Sequence, residues 1–204
     1  MMGSGYLTDR DRFRAVLKIN IFVFIAELAA GLYSKSLSMT SDGFHAFLHI
    51  IVALVALASV YEFLGFSPEK IKQWSAGINI TLFFPLAGLI SYEANQRLND
   101  PPAINITSAF FLVAILGLIA NIYTVKILHR KLGEECSENK NRFLLYIHMI
   151  VDAIGSVIVI IGAVAIYNSG NYLLDPQLSF ILAGLIIVGA IWMSWELISG
   201  HDDY

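Results

Sequence analysis

Six long apolar segments constrain the fold of this chain more than any other feature of its sequence. They cover about residues 13–33, 42–64, 74–98, 105–128, 143–167 and 175–198. Each reaches the roughly 20 residues that a helix needs to cross the hydrocarbon core of a bilayer. Only helices and closed barrels satisfy their backbone hydrogen bonds at that depth, and the segments are too long for barrel strands. The sequence therefore predicts an all-α polytopic membrane protein, a bundle of six transmembrane helices in which residues 1–204 form one domain.

The composition agrees with this class and excludes others. Hydrophobic residues make up 57% of the chain and charged residues only 14%, against about 25% charged in soluble domains. The formal net charge of −3 and the absence of a basic stripe argue against nucleic acid as a partner. Cys136 is the single cysteine, which excludes an internal disulfide and a cysteine-rich metal site. Because only a few polar residues follow the sixth segment, we expect no cytoplasmic C-terminal domain.

The distribution of basic residues predicts the orientation in the bilayer. Eleven of the 13 Lys and Arg residues fall before helix 1, between helices 2 and 3, or between helices 4 and 5, and only Lys35 and Arg97 fall on the other side. Loops rich in Lys and Arg stay in the cytoplasm. The sequence therefore predicts an integral membrane protein with both termini in the cytoplasm.

Two pairs of ionisable residues interrupt the apolar segments at the same spacing. His45 and His49 stand four residues apart in the second segment, and His148 and Asp152 stand four residues apart in the fifth. Residues at this spacing share one helix face, about 6 Å apart along the axis. Ionisable groups at membrane depth are costly and mark functional sites or pathways by default. Three imidazoles and one carboxylate would form a four-ligand set for a borderline divalent metal, whereas a lone histidine would be a structural hydrogen bonder.

The depth of these two pairs leaves one geometric difficulty. Helices 2 and 5 cross in opposite directions, and the segment boundaries place His45 and His49 in the outer half of helix 2 but His148 and Asp152 in the inner half of helix 5. The pairs would meet if residues 36–41 already belong to helix 2, or if the helices are tilted and offset.

Other polar residues in the segments are candidates for a second shell or a pathway. Asp42 shares a face with the histidines, so it either accepts a hydrogen bond from a ligand imidazole or caps helix 2 together with Ser41. Glu27 lies deep in helix 1 and could line a water-filled access route. Asn20 and Asn121 are predicted to form hydrogen bonds between helices.

The order of these residues resembles the cation diffusion facilitator family over about residues 13–200. Asn20 through Glu27, and the stretch from Gly31 to His49, resemble the family's first two helices. The motif from His148 to Asp152, with Ser156, looks like the family's fifth-helix motif. Asn121 and the Asp175-Pro176 pair that opens helix 6 also fit.

This resemblance implies a function that composition alone does not. It implies a six-helix cation efflux protein, usually a homodimer, that exchanges a divalent metal for protons, with His45, His49, His148 and Asp152 as the transport site. Many zinc-transporting members have Asp at the position of His49, and a His–His pair looks like a branch associated with cobalt and nickel as well as zinc. The loop between helices 4 and 5 is not histidine-rich, and we expect the chain to lack the family's usual C-terminal soluble domain.

Together the sequence predicts an exporter rather than an enzyme. The expected cargo is Zn²⁺, with Co²⁺, Ni²⁺ or Cd²⁺ as further candidates, and protons move in the opposite direction by antiport. No permanently bound cofactor and no catalytic residue are expected; the lipid bilayer is the remaining partner. The alternative is a haem-binding electron-transfer bundle, in which imidazoles on facing helices ligate iron. Asp152 would have no role in that alternative.

Overall fold

The computed structural model describes residues 9–60, 68–129 and 140–199. These ranges form six helices, in agreement with the predicted all-α bundle: α1 Asp9–Ser34, α2 Leu37–Val60, α3 Pro68–Asn99, α4 Ser108–His129, α5 Lys140–Ser169 and α6 Leu174–Ser199. Four of them contain, within the described residues, a stretch long and apolar enough to cross a membrane: Arg14–Ser34, Ser108–Lys126, Asp152–Ser169 and Leu174–Trp192.

Helix α2 begins five residues before the predicted start of its segment. Residues 36–41 are mostly polar, so they do not count as part of an apolar segment, yet the hydroxyl groups of Thr40 and Ser41 bond to backbone carbonyls one turn earlier. Thr40 Oγ1 donates to Ser36 O at 2.7 Å, and Ser41 Oγ donates to Leu37 O at 2.7 Å. The predicted end of the segment at residue 64 lies outside the described residues.

The other boundaries shift for similar local reasons. Helices α1, α3 and α5 begin before their apolar segments because a helix continues into its polar flanks once it leaves the hydrocarbon. Helix α4 begins at Ser108, three residues later than predicted, because Thr107 caps it: Phe110 N donates to Thr107 Oγ1 at 3.2 Å.

Two connections between helices, that between α1 and α2 and that between α3 and α4, meet at one end of the bundle. The turn between α1 and α2 uses Lys35 in the left-handed conformation (φ 63°), and Ser36 N donates to Gly31 O at 3.0 Å, a common helix C-terminal arrangement. Arg97 Nη1, near the end of α3, donates to Lys35 O at 2.7 Å. Asn105 N, in the connection between α3 and α4, donates to Ser34 O at 3.0 Å. Lys35 and Arg97 therefore lie at the same end, as the charge distribution predicts.

Helices α1 and α2 form a closely packed hairpin. A methyl group added at Gly31 would overlap Thr40, and one added at Gly43 would lie 3.0 Å from Leu28 N. The lack of a side chain at Gly31 and Gly43 therefore permits this close approach of the two backbones.

Two clusters of buried apolar residues hold the remaining helices around α2. One joins α2, α3 and α6 through Leu48, Phe83, Ala87, Ile186 and Ala190. The other joins the start of α2 to α4, α5 and α6 through Met39, Phe110, Ala114, Val159, Ala163 and Leu182. Large apolar side chains also remain exposed along the outer faces of the helices, such as Phe22, Leu112, Ile161 and Val188. This outer surface suits contact with lipid, because hydrocarbon imposes no cost on exposed apolar groups.

Candidate metal centre

Two histidines of α2 converge on one carboxylate of α5. His45 Nε2 lies 2.6 Å from Asp152 Oδ1, within a hydrogen bond, and His49 Nε2 lies 3.0 Å from Asp152 Oδ2. The second contact has the distance of an ion pair but not the directional geometry of a hydrogen bond. Each imidazole therefore uses a different oxygen, so a single carboxylate bridges the pair.

The three side chains are largely removed from solvent. The side chain of Asp152 is 4% exposed, and those of His45 and His49 are 13% and 14% exposed. The two imidazole rings meet edge to face with centroids 4.8 Å apart, and the ring of Phe83 lies 5.9 Å from that of His45. A polar cluster in such surroundings forms strong electrostatic interactions, because little water competes with them.

The donor atoms of this cluster fit a small divalent cation. One ligand atom from each of His45, His49 and Asp152 lies within 4.8 Å of the other two. Ligands placed 2.0–2.1 Å from a tetrahedral zinc ion are about 3.3 Å apart. The two contacts to Asp152 are slightly shorter than this, so small side-chain movements would admit the ion. Two imidazole nitrogens and a carboxylate oxygen suit Zn²⁺ or Co²⁺ better than Mg²⁺ or Ca²⁺.

The early start of α2 brings the two motifs to the same depth. Asp42 contacts Ser156, whereas His45, three residues further along α2, contacts Asp152, four residues earlier on α5. The two helices therefore run antiparallel, as the number of crossings predicts. With α2 starting at Leu37, the histidines lie further from its end than the apolar segment implied.

His148 is the fourth predicted ligand. Its backbone lies in α5 one turn before Asp152, and its side chain lies outside the described residues. The structure thus brings together three of the four predicted ligands.

A small cavity of about 30 Å³ adjoins the cluster. Its polar wall is formed by Ser41, Asp42, His45 and Asp152, and its apolar wall comes from α6, with Leu182 among the lining residues. A space of this size holds about one water molecule or one small ion.

Asp42 is part of a hydrogen-bonded chain behind the site. Asn121 Nδ2 on α4 donates to Ser156 Oγ at 3.0 Å, and Ser156 Oγ donates to Asp42 Oδ2 at 3.1 Å. Asn121 therefore connects two helices, as predicted. Asp42 does not cap α2, because the helix begins five residues before it. The bond that Asn20 donates goes to Val16 O in its own helix at 2.9 Å, not to a neighbouring helix as predicted.

Glu27 is packed in the interior instead of lining an open access route. Only 2% of the residue is exposed. It faces Gly43 on α2 and Gly117 on α4, and a methyl group added at Gly117 would overlap Glu27 Oε1. This oxygen has no hydrogen-bond partner among the described residues.

Asp175, at the start of α6, holds the N-terminus of α2. Its Oδ1 accepts bonds from Ser36 Oγ at 2.7 Å and from Ser38 Oγ at 2.6 Å, and its Oδ2 accepts one from Leu37 N at 2.6 Å. Ser38 N adds a longer bond to Oδ1 at 3.2 Å. In the sequence, Asp175 stands out only through the family resemblance. The polar run at residues 36–41 is the sequence feature that could have indicated its role. If a helix begins within this run, its first backbone N–H groups need an acceptor from elsewhere in the chain.

The fold and the convergent donor set together define a candidate cation site within a helical bundle, and comparison with known proteins assigns the chain to a family. The model of the cation efflux transmembrane domain matches residues 14–200. The chain therefore belongs to the cation efflux family, the cation diffusion facilitators, and is an integral membrane protein.

Individual relatives cover most of this chain. It is 30% identical to the metal cation efflux system protein CzcD of Cupriavidus metallidurans over 94% of its own length and 63% of the relative's. It is 28% identical to the zinc transporter ZitB of Yersinia pestis, covering 94% of this chain and 61% of that protein. Identity to the cadmium, cobalt and zinc/H(+)-K(+) antiporter of Bacillus subtilis is 29%, over 80% of this chain and 54% of the relative. The chain thus spans less than two thirds of the length of these relatives.

The haem-binding alternative is not supported. It requires imidazoles from facing helices, whereas the two imidazoles that the structure describes at this site belong to one helix and converge on a carboxylate. The family match also points to cation efflux.

Proposed function

We propose that this chain exports divalent transition-metal cations from the cytoplasm in exchange for protons. The observation that carries the proposal is the convergence of His45 and His49 on the carboxylate of Asp152 inside a membrane domain. The names of the relatives, which include a metal cation efflux protein and a zinc transporter, support the same substrate class. We propose Zn²⁺ as the main cargo, with Co²⁺, Ni²⁺ or Cd²⁺ as further substrates.

The proposed ligand set is His45, His49, His148 and Asp152. With neutral imidazoles its formal charge is −1, so a bound dication leaves a net charge of +1 in the site. Imidazoles bind metal only when unprotonated, so a metal ion and protons compete for the same nitrogens. The ordinary pKa of histidine, about 6.5, allows this competition near cellular pH. No enzymatic chemistry and no permanently bound cofactor enter the proposal.

The movement that we propose is alternating access. The site loads metal while open to the cytoplasm, then opens to the other side, where protons displace the metal. Helices α2 and α5 carry the ligands and would move together. We further propose that both termini of the chain face the cytoplasm. In the predicted topology the connections rich in Lys and Arg fall on the same side as the termini, and such connections stay in the cytoplasm. The family resemblance supports a homodimer in the lipid bilayer.

Reconstituted vesicles test this function. With a zinc-sensitive dye inside the vesicles and a pH gradient across the membrane, we expect zinc flux to follow the gradient and to stop when an ionophore dissipates it. A second dye should report protons moving in the opposite direction. Zinc flux that is indifferent to the pH gradient would contradict the antiport, and the absence of any metal flux would contradict the export function.

Replacing His49 by aspartate should change the selectivity of the site. The change removes one nitrogen ligand and adds an oxygen ligand with a negative charge, which weakens the preference for cobalt and nickel. We expect the ratio of cobalt to zinc flux in H49D to fall severalfold, with zinc flux in the same vesicles as the internal control. An unchanged ratio with zinc flux retained would mean that His49 does not contact the cargo.

A further inference from the structure

A second acidic position lies next to the metal centre but is not part of it. Glu27 of α1 is a buried carboxylate whose Oε1 has no hydrogen-bond partner among the described residues. The part of the chain that the structure describes places no basic side chain against it. A buried ionised carboxylate without a partner is very costly, whereas a neutral carboxylic acid is not.

The space around Glu27 fits a side chain of the length of glutamate. Helix α1 packs against α2 and α4. From α2, Gly43 lies against Glu27 Cβ, and from α4, Gly117 leaves the space that Oε1 occupies. The pocket is therefore built to contain the side chain, and it leaves one oxygen available to bind a cation as small as a proton.

Glu27 is electrostatically connected to the metal centre through Asp42. Gly43, which lies against Glu27 Cβ, is adjacent to Asp42 in α2, so a negative charge on Asp42 disfavours a second negative charge on Glu27. Asp42 lines the same cavity as His45 and Asp152. A dication beside Asp42 offsets the negative charge that Glu27 experiences, and its departure restores that charge. The occupancy of the metal centre therefore determines how costly ionisation of Glu27 is.

We propose that Glu27 is a proton-binding site separate from the metal ligands, which releases its proton when the dication binds and takes one up when the dication leaves. Metal binding converts the carboxylic acid to a carboxylate and delivers the proton to solvent, and metal release reverses this. Because binding couplings are reciprocal, a proton on Glu27 weakens metal binding by the same factor by which metal weakens proton binding. The inference rests on the proposed export function and assigns one of the exchanged protons to a residue that is not a metal ligand.

The test counts the protons that zinc displaces. Calorimetry of zinc binding to the purified full chain, repeated in buffers of different ionisation enthalpy, gives the number of protons released per zinc ion. Glu27→Gln keeps the size of the side chain but cannot ionise. We expect E27Q to bind zinc and to release about one fewer proton per zinc ion than the parent protein. The affinity of E27Q for zinc should also depend less steeply on pH.

The matched control is Glu93→Gln. Glu93 also lies on a long helix, but it is partly exposed and pairs with Arg97 at 2.9 Å near the end of α3. E93Q should release as many protons as the parent. If E27Q also releases as many protons as the parent, the inference is overturned while the export function stands. If the parent itself binds no zinc, both are overturned.

A second measurement covers the case in which E27Q does not fold. Infrared difference spectra of the parent protein, recorded with and without zinc, should lose the carbonyl band of a buried carboxylic acid when zinc binds. In Glu27→Asp, which keeps an ionisable group, that band should shift in frequency. The absence of such a band change in the parent, or an identical band in E27D, would overturn the inference.

Discussion

Zinc flux and zinc binding should both be lost when Asp152 is replaced by alanine. This carboxylate contacts both His45 Nε2 and His49 Nε2, so its removal eliminates one ligand and takes away the negative group that both imidazoles contact. Loss of a residue that only supports a ligand typically reduces metal affinity by 10–100-fold. We therefore expect the affinity of D152A for zinc to fall by at least about 100-fold.

Two further variants complete this experiment: Asp152→Asn, which removes only the charge, and Ser169→Ala, which is the control. The asparagine variant keeps the shape of the side chain and one carbonyl oxygen but loses the charge, so it should bind zinc weakly while folding like the parent. Ser169 donates only to Ala165 O in its own helix at 2.7 Å, at the exposed end of α5, so S169A should transport zinc normally. Wild-type zinc affinity in D152A would show that this carboxylate is not a ligand.

Replacing Asp175 by alanine should cause the largest loss of stability. Its carboxylate is fully buried and accepts four hydrogen bonds from residues 36–38 at the start of α2. Its removal leaves two backbone N–H groups and one hydroxyl group without an acceptor, because Ser36 Oγ and Ser38 Oγ lie 3.1 Å apart and one can donate to the other. Loss of a helix cap costs up to about 2 kcal/mol, and bonds to a charged group contribute about 1.5–3 kcal/mol each. We expect a total destabilisation of about 3–5 kcal/mol, measured by thermal unfolding in detergent.

Any effect of D175A on zinc binding should be indirect, because Asp175 is not one of the proposed metal ligands. It lies at the end of the bundle and not in the cluster of His45, His49 and Asp152. D175A should lose stability and also bind zinc more weakly, because α2 is then free to shift along α6 and α5. Ser179→Ala is the control: Ser179 is equally buried but donates only within its own helix, to Asp175 O at 2.8 Å. A D175A protein as stable as S179A would mean that the cap does not hold α2.

Much of the architecture follows from local sequence. A stretch of about 20 apolar residues must be a helix in a membrane because no other structure satisfies its backbone there. The spacing of four residues in each motif likewise places both side chains on one face, wherever the helix lies. For these reasons the sequence predicts the six helices and the shared face of each pair, whereas the meeting of the two pairs was a hypothesis from metal-ligand chemistry and the family resemblance.

The remaining features depend on residues that are distant in the sequence. The start of α2 at Leu37 depends on Asp175, and no apolar pattern within residues 36–41 predicts it. The partner of Asp42 also depends on a neighbouring helix. Asp42 accepts a hydrogen bond from Ser156 on α5 instead of capping its own helix. Burial of Glu27 required glycines on two other helices, Gly43 and Gly117.

X-ray absorption at the zinc edge of the purified, zinc-loaded chain tests the central claim most directly. The account predicts about four nitrogen and oxygen scatterers at 2.0–2.1 Å, together with the outer-shell scattering of several imidazole rings. That imidazole signal should weaken when His45 and His49 are both replaced by alanine. A sulfur shell, which would implicate Cys136, or an oxygen-only shell without imidazole scattering would contradict it.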